Sequence, residues 1–334
     1  MEVRRSAANQ LVSIDCRCRF PLHCHFKTDS IAPMNASLFA LALMDGVSYA
    51  ALLFLVALGL TLIFGVMRIL NIAHGSLYAC GGYFAATLGL VITKFGLPPM
   101  LAFPALFVAA LLMGVFLGTV LEFALLRRIL DKDPILQLLV TFAAFMVLED
   151  LQRMIWGVQP VFVSDVVTQM GTLSVAGVTY TRYQLLVLPA VAVLAFVGLR
   201  WFLAGTALGR QVTAVTHHRE VATAMGVNTG RVTWLTLTVG GALGALGGAL
   251  ASPTTSFTPG IGAEMMVLSF AVVATGGLGQ IGGAAIAALM IGLSRSFAVY
   301  LMPEIEVLVP YLIMVGVLLI RPEGLFSAAA ARRI

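Results

Sequence analysis

Apolar runs of about bilayer length, separated by short polar joints, govern what this chain can become. They fall near residues 44–67, 71–93, 99–126, 134–156, 183–203, 231–252, 262–278, 282–302 and 306–321. An α-helix rises about 1.5 Å per residue, so about 20 apolar residues cross a hydrocarbon core of about 30 Å. The runs therefore predict an all-α, polytopic membrane protein. Glycines interrupt several of them, and 262–302 reads either as two spans or as one long, Gly-broken segment. The expected count is eight or nine transmembrane helices.

Composition excludes a soluble fold of this size. Of 334 residues 60% are hydrophobic and 10% charged, against roughly 25% charged in an ordinary soluble domain; the mean hydropathy is +1.00. The net charge of +5 is no nucleic-acid signature, because the basic residues form no stripe and do not interleave with aromatics. They sit in the joints, where they set topology. Arg127, Arg128 and Lys132 follow the third run, Arg200, Arg210, Arg219 and Arg231 surround the joint after the fifth, and Arg321, Arg332 and Arg333 close the chain. Nine spans gather all of these, with Arg68, on the cytoplasmic side and leave Lys94, Arg153 and Arg182 opposite.

Residues 1–33 differ from the rest. They are polar, carry Arg4, Arg5, Arg17, Arg19 and Lys27, and lack the apolar core of a signal peptide. Nine spans place this basic leader outside the cell, against the charge rule. The expectation is a disordered tail or a mis-called start, with the membrane domain, 34–334, opening at Met34. Cys16, Cys18, His23, Cys24 and His25 match no zinc spacing, so no metal site is assigned. Cys80, inside an apolar run, reads as a small packing residue.

Missing motifs narrow the chemistry. The lysines are Lys27, Lys94 and Lys132, and none follows a glycine, so no phosphate-cradling G-x-x-x-x-G-K-[ST] loop exists. Neither H-E-x-x-H nor G-x-S-x-G occurs. The chain is not read as an enzyme, and any ATPase acting with it is another chain. Ionisable candidates within the runs are Glu122, Glu149, Asp150, Glu264 and Arg295. Glu122 is expected near the interface beside Arg127 and Arg128. Glu149 and Asp150 point to different helix faces, and Arg153 at i+4 and i+3 offers a structural ion pair. So little buried charge disfavours ion coupling, although an ion-coupled carrier or a channel for small polar solutes remains the alternative.

Two joints are long. Residues 157–182 alternate β-branched residues around Gly171 and Gly177 and predict a small hairpin opposite the basic side. The cytoplasmic loop, residues 204–230, predicts a short helix over His217–Met225, preceded by Thr216 and stopped by Gly226. Within it Glu220, Ala222 and Gly226 form E-x-A-x-x-x-G, and Ala222 and Ala224 are small enough to admit a close partner. Two further segments are rich in Gly and polar groups: Asn71-Ile72-Ala73-His74-Gly75-Ser76, and Ala274-Thr275-Gly276-Gly277-Leu278-Gly279-Gln280. At an offset of 201 they agree at Ala73/Ala274, Gly75/Gly276, Leu77/Leu278, Gly81/Gly282, Gly82/Gly283 and Ala86/Ala287. Either an internal repeat or Gly/Ala bias accounts for this. Glycines let helices break and expose backbone polar groups to a path; the alternative is close packing, which Gly240, Gly241, Gly244, Gly247 and Gly248 serve.

The E-x-A-x-x-x-G spacing resembles the front of the coupling loop of ABC importer permeases. The usual continuation into Leu-Pro is absent, with Thr236-Leu237-Thr238-Val239 in its place. Over residues 44–330 the chain resembles the LivH-type permeases of branched-chain amino-acid ABC importers. The likeness is carried by Gly59-Leu60-Thr61 through Asn71–Gly75, by Gly209-Arg210 through Gly226-Val227-Asn228, by Gly276–Gly279 with Gly282-Gly283, and by Arg321-Pro322-Glu323-Gly324-Leu325-Phe326. The resemblance implies a multi-pass subunit of a bacterial inner membrane, paired with a homologous second permease, two cytoplasmic ATPase subunits and an extracytoplasmic binding protein. ATP is then bound by the partners, and this chain holds no cofactor. Arg210, Glu220, Ala222 and Gly226 are the candidate ATPase-coupling residues. Asn71, His74, Gly75, Ser76, Thr275, Gly276, Gly277 and Gln280 are the candidate substrate path, neutral groups suited to a zwitterion. Members of the family move leucine, isoleucine and valine, and relatives carry other amino acids, urea, amides or aromatic acids.

Overall fold

The structure, a computed structural model, describes residues 36–326 apart from 97, 99, 100, 131, 176 and 177. The leader with its Cys and His residues, the Met34 start, Gly177, Arg332 and Arg333 lie outside the described residues. Long apolar helices dominate: α1 (Ala36–Met67), α2 (His74–Lys94), α3 (Ala102–Ile129, with a π-turn at Glu122–Leu126) and α4 (Pro134–Trp156). A short helix α5 (Asp165–Met170) and strands β1 (Thr172–Val175) and β2 (Val178–Thr181) follow. Then come α6 (Tyr183–Gly205), the short α7 (Ala207–His217) and α8 (Arg219–Ala224), α9 (Thr229–Ala251), α10 (Ile261–Gly276), α11 (Ile281–Leu301) and α12 (Val309–Ile320).

Seven of these helices are long and apolar enough to cross a membrane; α10 and α12, of 16 and 12 residues, are apolar but shorter. The 262–302 stretch is two helices. They are parted by Gly277–Gln280, where Gly277 and Gly279 adopt φ of +103° and +81°, a region that costs residues with a Cβ.

Glycine sets how closely the central helices approach. Helices α1, α2 and α9 form the middle of the bundle, with α11 along α1 and α3 along α9. A Cβ at Gly244 of α9 would lie 2.8 Å from the His74 ring, and one at Gly247 2.6 Å from Val56. Outer helices show the opposite pattern: Val147 of α4, Leu194 of α6 and Leu319 of α12 are exposed, as lipid-facing side chains must be. Polar ends are satisfied locally. The Gln137 amide donates to the carbonyls of Ile129, Leu130 and Lys132, each at 3.0 Å, closing the end of α3.

The 157–182 joint does form an antiparallel hairpin, Thr172 facing Thr181 and Leu173 facing Tyr180, with α5 ahead of it. Val161 and Phe257 exchange two backbone hydrogen bonds of 2.9 Å, tying this joint to the one after α9. Glu122 opens the π-turn and is only 2% exposed. One expectation, the internal repeat, is corrected. The offset of 201 does not relate equivalent positions: Gly75 stands at the start of α2, Gly276 at the end of α10. Gly75 and Gly276 also meet different neighbours, Gly262 and Gly283.

Candidate functional site

Two places gather the residues singled out by sequence. The first lies inside the bundle. His74 opens α2 beside Val56 and Gly59 of α1, its Nε2 3.0 Å from the Val56 carbonyl oxygen. Val56 precedes the end of α1 by eleven residues, about 16 Å of helix at 1.5 Å per residue. Residues 68–73, which are not helical, therefore run back into the apolar layer before α2 begins. Helix α10 also begins there: Gly75 packs on the backbone of Gly262, the second residue of α10. Two helix N-termini thus meet inside the bundle, where their N–H groups and dipoles favour negative charge.

Around this junction Asn71, His74 and Ser76 are fully or almost fully buried. Among the described residues, both amide atoms of Asn71 and Nδ1 of His74 have no hydrogen-bond partner. Ser76 donates to the Phe145 carbonyl at 3.4 Å. The second candidate segment does not join the first. Thr275, also fully buried, Gly276 and Gly277 end α10 at the other pole of that helix, and Gln280 precedes α11. There the chain's Arg321–Phe326 ending packs on the break, with Leu325 N–H donating to the Thr275 carbonyl at 2.9 Å. Gly279 closes against Gly65 near the end of α1.

The second place is the loop after α6, and it holds two helices instead of one. Thr206 caps α7 by accepting from Gly209 N–H at 2.9 Å. Gly209, Val212 and Val215 turn inward at a spacing of three, while Arg210, Gln211 and Ala214 face out. Thr216 is no cap. It lies in the last turn of α7, its hydroxyl donating back to the Val212 carbonyl at 2.8 Å, and His218 stands at the N-cap position of α8 without a side-chain capping bond. Gly226 does stop α8, at φ +85°. Its N–H donates to the Thr223 carbonyl and that of Val227 to the Ala222 carbonyl, both at 3.0 Å, the paired bonds of a Schellman ending.

Arg210, Glu220 and Ala224 are exposed, whereas Ala222 is only 5% exposed and packs inward. What α8 presents instead is Val221 and Met225, 59% and 81% exposed and one turn apart. Sequence inspection passed over both; their i, i+4 spacing beside Gly226 was the available signal. A groove of 370 Å³ separates this helix pair from the end of α1, lined by Val66, Met67 and Arg68 on one side and Val215–Val221 on the other. Elsewhere, Arg153 bridges Glu149 and Asp150 on the exposed surface of α4, an ordinary helix-face ion pair.

The family model described as branched-chain amino acid transport system / permease component matches residues 42–318. Among curated proteins, the high-affinity branched-chain amino acid transport system permease protein LivH of Salmonella typhimurium is 24% identical over 302 residues, 89% of this chain and 98% of the relative. LivH of Escherichia coli K12 is 25% identical with the same coverage. BraD of Pseudomonas aeruginosa, the corresponding permease protein there, is 24% identical over 87% of this chain and 97% of its own. No solved structure matches the chain. With the span pattern, the glycine-packed bundle and a match over most of its length, this chain belongs to the branched-chain amino acid transport system permease family.

Proposed function

We propose that the chain is the membrane-spanning subunit of an ATP-driven importer for branched-chain or related amino acids in a bacterial inner membrane. It receives substrate from an extracytoplasmic binding protein and works beside a homologous permease and two cytoplasmic ATPase subunits. The end of the bundle bearing Arg68, α7 and α8 faces the cytoplasm, in keeping with the loop charges.

The observation that carries this reading is the pair α7–α8. A six-residue helix has little stability of its own, yet α8 is held by Ala222 against the body and by the Gly226 ending, and it displays apolar Val221 and Met225. A cytoplasmic segment has reason to keep such side chains outward when another protein covers them. In this account Arg210 and Glu220 meet the ATPase directly, while Ala222 and Gly226 fix the shape that they ride on. Substrate crosses past Asn71, His74, Gly75 and Ser76, with Thr275, Gly276, Gly277 and Gln280 at the inner exit.

Replacing Glu220 by Lys or Gly226 by Asp is expected to leave the chain in the membrane and to abolish uptake together with transport-coupled ATP hydrolysis. Uptake at the unmodified rate in both variants contradicts the assignment.

A further inference from the structure

At the end of the bundle away from α7 and α8, residues of α1, α6, α11 and the hairpin enclose a cavity of 270 Å³ that neither family membership nor the sequence motifs single out. Its wall carries both signs of charge, Asp45 from α1 and Arg295 from α11. Among the described residues these two are not paired with each other.

Each is prepared for a ligand. The Tyr180 and Tyr300 hydroxyls donate to different oxygens of Asp45. That holds the carboxylate in place and leaves lone pairs on both oxygens for a further donor. Burial first, and then the hydrogen bond to Asp45, raise the Tyr180 phenol above its ordinary pKa, so Tyr180 stays a donor across the physiological range. The Arg295 guanidinium lies over the Tyr49 ring, 4.3 Å from its centroid. Its carboxylate neighbour Glu306 is 3.9 Å away, well beyond the about 2.7–2.9 Å of a charge-assisted hydrogen bond. A guanidinium has five N–H donors, and a partly buried one calls for an acceptor. Leu52, Leu188 and Val299 add apolar surface to the same lining.

We propose that this cavity is the outward-facing site for a free α-amino acid, the ammonium group on Asp45, the carboxylate on Arg295, and the side chain against Leu52, Leu188 and Val299. This rests on the importer reading above and adds to it the recognised groups. A volume just below the about 300–1,000 Å³ of drug-sized pockets suits one small solute. Because a site with two partly buried charged partners leaves one unpaired when the ligand lacks its counterpart, the zwitterion is preferred over a fatty acid or an alkylamine of the same shape.

The test places a reporter in the cavity. Val299, 38% exposed, is replaced by Cys in the full chain with Cys16, Cys18 and Cys24 changed to Ser. Alkylation by a membrane-impermeant maleimide is followed in oriented vesicles. A mixture of the common L-amino acids is expected to slow alkylation at least fivefold, while 4-methylpentanoate and isoamylamine leave it within twofold. Adding Arg295→Gln or Asp45→Asn removes the protection but leaves the cysteine reactive, which shows that the fold survives. Equal rates with and without amino acids overturn the proposal. So does a rate that follows the phosphatidylethanolamine content of the vesicles and ignores amino acids, since a zwitterionic headgroup carries the same charges. Uptake by the complete transporter is measured in parallel: absence of any ATP-driven amino-acid uptake removes the importer reading itself, whereas normal uptake in Arg295→Gln removes this site alone.

Discussion

Gly248→Leu is expected to reduce the folded chain in the membrane to a small fraction of the unmodified level. Gly248 faces α2, and a Cβ there would sit on the Tyr78 carbonyl, 2.8 Å from its carbon and 3.0 Å from Gly82 N. All of these are backbone atoms of a helix that is itself held by Gly75 on α10 and Gly81 on α9, so none can turn aside as a side chain could. Overpacking a core by a methylene or two typically costs about 1–3 kcal/mol, and an isobutyl group driven into backbone exceeds that range. Gly316→Leu on α12 is the control. Its added Cβ meets nothing within 4 Å, so that variant accumulates normally. Quantifying both in detergent extracts by size-exclusion chromatography checks the contrast, and equal monodisperse yields would refute the packing account.

Met225→Asp is expected to detach the ATPase subunits without harming the permease. At 81% exposure, Met225 contributes little to the fold, and surface substitutions usually fall within about 0.5 kcal/mol. Buried against a partner it is worth about 1.5–3 kcal/mol, where each about 1.4 kcal/mol is tenfold in affinity. A flexible thioether also suits a surface that must keep contact while the partner changes shape. Co-purification of the ATPase is expected to fall tenfold or more at constant permease level, and an undiminished yield of the assembled complex counts against α8 as the contact.

Much of this was legible in the sequence because single helices in lipid announce themselves. The 134–156 run is α4 to the residue, and the 71–93 and 183–203 runs recur as α2 and α6 within three residues at each end. Gly226 was legible for a similar reason: a left-handed ending requires it locally. The start of α2 was less so. His74 follows Ala73, which offers no side-chain cap, and nothing in a linear pattern marks residues 68–73 as turning back into the bundle. The division of 204–230 into two helices was hidden by Thr216, a good cap residue by type that the structure uses inside α7. Arg295 stood out as an ionisable residue within an apolar run, but its meeting with Asp45 was beyond reach. They lie 250 positions apart, and only the packing of α11 along α1 brings them to one cavity.

The central claim, import driven by ATP on partner chains, is tested most directly in proteoliposomes holding this chain with its second permease and ATPase subunits. The binding protein and radiolabelled leucine are placed outside, and ATP is enclosed. The expected result is leucine accumulation that requires ATP and the binding protein and persists with a protonophore present. Uptake by the permease alone, lost on adding protonophore while ATP is maintained, would contradict the account and make the chain an ion-coupled carrier.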